Sequence, residues 1–283
     1  MWYVIRIFVL LIYKLELMNM EKSKKVVVIT GCSSGFGEGA VKAFADKGYC
    51  VWGTLRDSQG RNASKKAALE SYSKSISVID MNVADDKSVT DGFARILNDG
   101  AIDVLINNAG IMYLGITEAF SIAQAKEQME TNYYGTIRTI QAVLPAMRKA
   151  KSGLIINCSS IVGQISPPFF STYSATKFAL EGYTQGLRYE VSPFGVDVAL
   201  VEPGPFGTGL LAGGRAPERN DVLESYGDLA GAPIAVGQHF ATFLQSEEAP
   251  KPQLVVDAYL ALADMPSGKR PTRTVVGITW GVD

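Results

Sequence analysis

The chain alternates short apolar runs rich in valine and isoleucine with longer stretches in which apolar residues recur every three or four positions. The short runs are typical of buried strands, and the longer period is typical of helices that bury one face. The runs predict seven strands, at Val26–Thr30, Cys50–Leu55, Ile76–Asp80, Val104–Asn107, Leu154–Ser159, Val196–Val201 and Arg273–Val276. The stretches between them predict seven helices, at Phe36–Lys47, Lys65–Ser73, Asp86–Leu97, Ile122–Lys149, Tyr173–Val191, Ile234–Gln245 and Gln253–Asp264.

Strands that alternate with helices build a parallel sheet with helices on both faces. We therefore predict a single α/β domain over residues 24–283, with a doubly wound, seven-stranded parallel sheet of the Rossmann type. Residues 205–233 break the alternation and are rich in glycine and proline, which is typical of a mobile lid or binding loop.

The N-terminal residues 1–23 form a separate extension. Its apolar part, residues 2–13, would reach only about 18 Å as a helix, short of the ~30 Å hydrocarbon core of a membrane. Three interpretations stay open: a wrongly assigned start with Met18 or Met20 as the true one, a short interfacial anchor, or a helix packed on the domain.

Composition narrows the function classes. Of the 283 residues, 47% are hydrophobic, and 27 lysines and arginines balance 28 acidic residues, so the chain offers no broad positive field for nucleic acid. Three scattered cysteines and one histidine exclude a disulfide framework and a multi-histidine metal site. We expect a cytoplasmic protein without a metal, whose chemistry does not use histidine.

A glycine-rich turn follows the first predicted strand, with Gly31, Gly35 and Gly37 in the pattern T-G-x-x-x-G-x-G. Glycines between a strand and a helix let the backbone approach a phosphate, and the helix start adds free N–H groups and the positive end of its dipole. The general dinucleotide pattern, G-x-G-x-x-G, has a different spacing. The turn is therefore either a pyrophosphate site or a packing feature of a tight turn.

Further motifs follow in order: N-N-A-G at Asn107–Gly110, Asn132, Ser160, Y-x-x-x-K from Tyr173 to Lys177, and Pro203-Gly204. With the glycine turn, they resemble the short-chain dehydrogenase/reductase family over about residues 24–277. Residues 51–57 and 202–206 resemble members similar to 17β-hydroxysteroid and retinol dehydrogenases. The resemblance implies an oxidoreductase that transfers a hydride between NADP(H) and a carbonyl or alcohol substrate.

The resemblance also implies the site residues. Four would be catalytic: Asn132, Ser160, Tyr173 and Lys177. The cofactor would contact Gly31, Ser33, Ser34, Gly35, Phe36, Gly37, Arg56, Asn82, Val83, Asn108, Ala109, Gly110, Tyr173, Lys177, Pro203, Gly204, Phe206 and Thr208. Asn82 stands where relatives usually carry an aspartate that contacts adenine, so this position departs from the family pattern.

Tyr173 and Lys177 are four residues apart, which places them on one face of a helix. A positive charge about 5 Å from the phenol, in an effective dielectric near 20, contributes about 3 kcal/mol, or about two pK units. We expect Lys177 to lower the pKa of Tyr173 and make it a general acid/base. By the family mechanism, Tyr173 donates a proton to the carbonyl oxygen, Ser160 hydrogen-bonds that oxygen, and Asn132 holds a water that connects Lys177 to solvent.

The end of the second strand predicts which cofactor is preferred. NAD-binding folds commonly place an acidic residue there to accept hydrogen bonds from the ribose 2′-hydroxyl. Here Leu55 takes that position, and Arg56 follows it. A guanidinium can bind a 2′-phosphate bidentately, and Ser33 can add a hydroxyl contact, so we predict NADP. The alternative is that Arg56 pairs with Asp57.

Two other function classes stay open: a catalytically silent dinucleotide-binding sensor or scaffold, and a membrane-bound steroid or retinoid enzyme. Small residues recur on the Tyr173 helix at Ala175, Ala179, Gly182 and Gly186. This small face packs either on the chain's own sheet or, as in similar proteins, against a second copy. We expect the second arrangement, in a homodimer or homotetramer.

Overall fold

A computed structural model of the chain describes residues 24–282. Its centre is one sheet of seven parallel strands in the order β3-β2-β1-β4-β5-β6-β7. The strands are β1 Val26–Thr30, β2 Cys50–Leu55, β3 Ile76–Asp80, β4 Val104–Asn107, β5 Gly153–Cys158, β6 Val196–Pro203 and β7 Arg273–Val276. The predicted fold class and strands are confirmed, with small differences at the ends of β5 and β6.

Ten α-helices lie within the described part of the chain. They are α1 Gly35–Asp46, α2 Ala63–Tyr72, α3 Asp86–Asp99, α4 Ile122–Met129, α5 Gly135–Ala150, α6 Ser171–Val191, α7 Gly209–Ala212, α8 Asn220–Ser225, α9 Ala232–Leu244 and α10 Gln253–Asp264. Short 3-10 turns at Thr117–Ala119, Ile161–Gly163, Ser192–Phe194 and Gly227–Gly231 connect some of them.

Each face of the sheet carries its own hydrophobic core, because successive strand residues point to opposite faces. On one face, Val27 and Ile29 of β1 pack in the core formed with α1, α2 and α10. On the other face, Val28 packs in the core formed with α3, α5 and α6. Helices on both faces of an all-parallel sheet make the domain doubly wound, as predicted.

The predicted single helix over residues 122–149 is wrong in one respect. A π-helical turn, Glu130–Tyr134, lies between α4 and α5. Within this turn Asn132 is buried and hydrogen-bonds Ile111 and Thr176, so its side chain serves tertiary contacts. Single π turns within helices frequently mark functional sites.

Residues 205–233, the lid segment, lie against the body of the domain and contain α7 and α8. Arg215 makes a parallel bridge with Tyr113 and an ion pair with Glu127 at 2.8 Å. Tyr226 donates a hydrogen bond to Glu118 at 2.8 Å. These contacts hold the middle of the segment, at Arg215 and Tyr226, against the stretch from the end of β4 to α4.

The N-terminal extension, residues 1–23, lies outside the described residues. Within residues 24–282, no helix combines the length and apolar character that crossing a membrane requires.

Candidate active site

The carboxyl ends of parallel strands meet at one edge of the sheet. The connections from β1 and β4 leave in opposite directions along this sheet, because β2 and β5 are their outer neighbours. Such a switch point opens a crevice in doubly wound folds. A cleft of about 460 Å³ lies there, between the glycine turn, the end of β2 and the lid segment.

The glycine turn has the shape that close backbone approach requires. Gly31 and Gly35 have φ of +71° and +59°, in the left-handed region that favours glycine. A Cβ atom at Gly37 would lie 2.3 Å from the Gly31 carbonyl oxygen. Ser34 caps α1 without a side-chain hydrogen bond to the helix, so no side chain of the cap covers its first N–H groups. These features fit a bound dinucleotide pyrophosphate.

Twelve of the predicted cofactor residues line this cleft: Gly31, Ser33, Ser34, Gly35, Phe36, Arg56, Asn82, Val83, Asn108, Ala109, Gly110 and Thr208. Gly37 packs beneath the turn instead of lining the cleft. Sequence reasoning missed Arg61, Asn62 and Arg215, which also line it. Arg61 and Asn62 follow the end of the predicted strand, Leu55, within seven residues, so their place in the loop was a usable signal. The position of Arg215 in the cleft depends on how the lid segment folds.

Hydrogen bonds join the N-N-A-G loop to the glycine turn. The Thr30 hydroxyl accepts from the backbone N–H groups of Asn108 and Ala109, both at 3.0 Å. The Asn108 amide donates to the carbonyls of Thr30 at 2.9 Å and Gly31 at 3.1 Å. Asn82 uses its side-chain oxygen locally, accepting from the Ala84 N–H at 3.2 Å. These bonds fix one wall of the cleft.

A tight turn after β2 directs charge into the cleft. Asp57 has φ of +54°, and its carboxylate accepts the Arg61 N–H at 3.1 Å and lies 3.8 Å from the Arg61 Nε. The Asn62 amide donates to the Arg56 carbonyl at 2.6 Å. Among residues 24–282, no carboxylate lies within 4 Å of the Arg56 guanidinium. Asp57 therefore serves the turn and does not pair with Arg56.

A second cavity of about 90 Å³ adjoins the cleft, and Met112 lines both. Tyr173 and Ser160 line this cavity, with Gly204 and Phe206 among the other predicted residues. The remaining lining residues are Ile161, Val162, Phe170, Pro205, Leu211, Phe240, Leu244 and Trp280. None of the described lining side chains carries a charge.

Local bonds hold the predicted catalytic groups. The Ser160 hydroxyl donates to the Pro203 carbonyl at 3.2 Å and accepts from the Val162 N–H at 3.3 Å. The buried Lys177 ammonium donates to the Cys158 carbonyl at 2.8 Å and lies 5.6 Å from the centre of the Tyr173 ring. Lys177 and Pro203 line neither the cleft nor the second cavity. They contact the lining residues instead, Lys177 the Tyr173 ring and Pro203 the Ser160 hydroxyl.

The expected lowering of the Tyr173 pKa is wrong for this structure. Burial raises the pKa of Tyr173 well above its ordinary value, and the nearby Cys158 thiol adds to the rise. Burial also lowers the pKa of Lys177. The attraction between phenolate and ammonium would lower the pKa of Tyr173, but the cost of removing both charges from water outweighs it here. Tyr173 is therefore protonated at neutral pH.

Asn132 lies beside these groups without touching them. Its side-chain oxygen accepts from the Ile111 N–H at 2.8 Å, and its amide donates to the Ile111 carbonyl at 2.9 Å and the Thr176 hydroxyl at 3.1 Å. The buried side chain thus ties the loop after β4 to α6, which carries Tyr173. The water-holding role that the family resemblance implied stays a prediction.

Comparisons with known proteins agree with this geometry. The chain is 38% identical over 205 residues to a 3-ketodihydrosphingosine reductase of Bacteroides thetaiotaomicron, which covers 72% of each chain. It is 38% identical over 189 residues to human retinol dehydrogenase 8, covering 66% of this chain and 60% of that protein.

Solved structures share the fold. A short-chain dehydrogenase from Streptomyces avermitilis is 32% identical, with a TM-score of 0.75 over 90% of this chain and 89% of that one. A short-chain dehydrogenase from Sphingobium yanoikuyae, at 25% identity and a TM-score of 0.69 over 89% of this chain and 87% of that one, was solved with NADPH. The profile of the short chain dehydrogenase family matches residues 25–219. The chain therefore belongs to the short-chain dehydrogenase family of oxidoreductases.

Proposed function

We propose that the protein reduces an apolar ketone or aldehyde with NADPH and oxidises the corresponding alcohol with NADP. One observation carries the proposal: Ser160 and Tyr173 line a single uncharged cavity that joins the nucleotide cleft at Met112. Two hydroxyl groups of different acidity in one water-poor cavity suit the binding and protonation of a carbonyl oxygen.

Each residue of the site has a separate role in the proposed reaction. When bound, the nicotinamide supplies the hydride. Tyr173 protonates the oxygen that gains negative charge, since its phenol is protonated at neutral pH. Ser160 donates a second hydrogen bond to that oxygen, exchanging its bond with the Pro203 carbonyl. Lys177 supports the Tyr173 ring from behind, and Arg56 and Ser33 would hold the 2′-phosphate.

The lining of the second cavity indicates the substrate class. Phe240 packs against Phe170 and Trp280 at centroid distances of 6.3 and 5.9 Å, forming an aromatic wall. No described cation lines the cavity, so a carboxylate placed there would lose water without gaining a partner. We therefore assign an uncharged, hydrophobic carbonyl compound as substrate.

A substrate panel tests this assignment. For a medium-chain methyl ketone and a keto acid of equal length, kcat/KM with NADPH should favour the ketone by about a hundredfold, which corresponds to about 2.7 kcal/mol. Phe240→Arg should narrow this ratio because it adds a cation to the cavity wall. His239→Arg is the matched control, since His239 is exposed on the same helix, and should leave the ratio unchanged. A wild-type preference for the keto acid would contradict the assignment.

We also propose that the protein forms a homodimer or homotetramer through the small face of α6. Ala175, Gly182 and Gly186 are exposed, and an added Cβ at either glycine would meet no atom within 4 Å. The residues of α6 that face the core are larger, Leu180 and Leu187 among them. Ala179 is half-buried, and the exposure of the other three favours a contact with a second copy over packing on the chain's own sheet.

Sedimentation tests the assembly. At micromolar concentration the wild type should sediment as a dimer or tetramer, and Gly186→Glu should give monomers, because a buried unpaired charge is costly at a close helix contact. Ala67→Glu adds the same charge to an exposed position of α2 and should leave the assembly intact. A monomeric wild type would refute this arrangement.

A further inference from the structure

Two buried glutamates lie behind the catalytic groups, outside both cavities. Glu181 is on α6, one turn beyond Lys177, and Glu202 is on β6, directly before Pro203. They are 4% and 0% exposed. Fully buried carboxyl groups are rare unless they are paired, so the groups around them decide what state they hold.

One guanidinium serves both carboxyl groups. The Arg273 Nε lies 3.1 Å from Glu181 Oε2 and 3.0 Å from Glu202 Oε1, and its single hydrogen is directed to Glu181. The Gln164 amide donates to Glu202 Oε2. Glu181 Oε1 and Glu202 Oε1 are buried and accept no hydrogen bond from the described residues. The cluster is therefore short of donors, and a proton on one carboxyl group would supply one.

The surrounding charges agree with a retained proton. Burial and the neighbouring Glu181 charge raise the pKa of Glu202 to about 7, although Arg273 opposes the rise. Near the pair are also Lys177 on α6, whose pKa burial lowers although the Cys158 and Glu181 charges oppose the fall, and the Cys158 thiol of β5 next to that lysine. Two carboxyl groups at close range cannot both ionise easily, which is why such pairs share a proton.

The pair joins the elements that carry the catalytic groups. Glu181 belongs to the same helix as Tyr173, whereas Glu202 bonds Gln164 of the Ser160 loop. Glu202 also precedes Pro203, whose carbonyl accepts the Ser160 hydroxyl. A change in the distance between the two carboxyl groups would therefore change the distance between Tyr173 and Ser160.

We propose that Glu181 and Glu202 hold one proton between them and act as positioning residues, fixing the Tyr173 helix against the Ser160 loop. Loss of the proton leaves two carboxylates beside the single Arg273 guanidinium. Their repulsion then pushes α6 away from β6. Catalytic geometry is sensitive to displacements of about 1 Å, so turnover falls with the proton. This positioning role rests on the proposed function, whereas the shared proton does not.

Thermal unfolding against pH tests the shared proton without any substrate. The folded state keeps a proton that an unfolded glutamate loses near pH 4.5, so the contribution of this pair to the stability of the wild type should fall as pH rises from about 4.5 to about 7. Glu202→Gln keeps the shape and needs no proton, so relative to the wild type it should be more stable at pH 8 than at pH 5. The control is Glu190→Gln, at an exposed glutamate of α6. Its stability should differ from that of the wild type by the same amount at pH 5 and pH 8. If the stability difference between Glu202→Gln and the wild type is the same at pH 5 and pH 8, the two glutamates do not share a proton.

Infrared and kinetic measurements separate the two parts. At about pH 6 the wild type should show a protonated carboxyl band that Glu202→Gln lacks. From about pH 6 to pH 8, the wild-type kcat should fall about tenfold more than the kcat of Glu202→Gln, with little change in KM for the ketone. Parallel pH profiles would overturn the positioning role, and absent turnover in every variant would instead contradict the proposed function.

Discussion

Tyr173→Phe is expected to lower kcat for ketone reduction by about 10²–10⁴-fold, the range that a general acid contributes. The substitution removes one hydroxyl and keeps the ring that packs in the wall of the second cavity. The Lys177 ammonium keeps its bond to the Cys158 carbonyl. Steady-state kinetics with NADPH and an apolar ketone measure the loss, and fluorescence titration with NADPH should show nearly unchanged affinity.

Lys177→Met provides the contrast. It should lower both turnover and cofactor affinity, because the family resemblance implies that this lysine also binds the nicotinamide ribose. Phe178→Leu, at an exposed position of the same helix, is the control for effects of mutating α6. Tyr173→Phe activity above a few per cent of wild type would show that another residue is the acid, and unchanged affinity in Lys177→Met would remove the second role of the lysine.

The second large effect concerns cofactor preference. We expect wild-type kcat/KM to favour NADPH over NADH by about a hundredfold or more, because two charge-assisted hydrogen bonds contribute about 1.5–3 kcal/mol each. Arg56 is available for them, since Asp57 is engaged by Arg61 and by the turn. Arg56→Ala should lose mainly NADPH efficiency, whereas Leu55→Asp should move the preference toward NADH by placing a carboxylate near the ribose.

Arg61→Ala separates direct binding from support of the turn. Arg61 lines the cleft but also pairs with Asp57, so its loss should weaken NADPH efficiency less than the loss of Arg56. Lys74→Ala, on the exposed surface between α2 and β3, removes the same charge as a control. It should change kcat/KM for neither NADPH nor NADH. A wild type that works better with NADH would overturn the NADP assignment.

The sheet could be predicted from sequence because its strands are buried on both faces and therefore read as continuous apolar runs. The glycine turn could be predicted for a different reason. Gly31 and Gly35 have positive φ values, which favour glycine, so the requirement of the backbone is visible in the sequence. The π turn around Asn132 escaped prediction because its side chain contacts residues distant in sequence, Ile111 and Thr176. Hydrophobic period carries no signal of such contacts.

Electrostatics was the weaker part of the sequence reasoning. Spacing correctly placed Lys177 near the Tyr173 ring, yet the direction of the Tyr173 pKa depends on burial, which spacing does not reveal. Glu181 and Glu202 likewise gave no signal as a pair, because they are 21 residues apart and meet only through the packing of α6 on β6. Arg215 enters the nucleotide cleft only because the lid segment folds back onto Tyr113.

Transfer of deuterium from NADPH to a ketone tests the proposed reaction and the role of Tyr173 together. Wild type and Tyr173→Phe are incubated with an apolar ketone and NADPH that carries deuterium at both C4 positions of the nicotinamide, and the alcohol is analysed by mass spectrometry. We expect alcohol with one deuterium on the carbinol carbon from the wild type, and almost no alcohol from Tyr173→Phe. Alcohol without deuterium, or no alcohol from any ketone of an apolar panel, would contradict it.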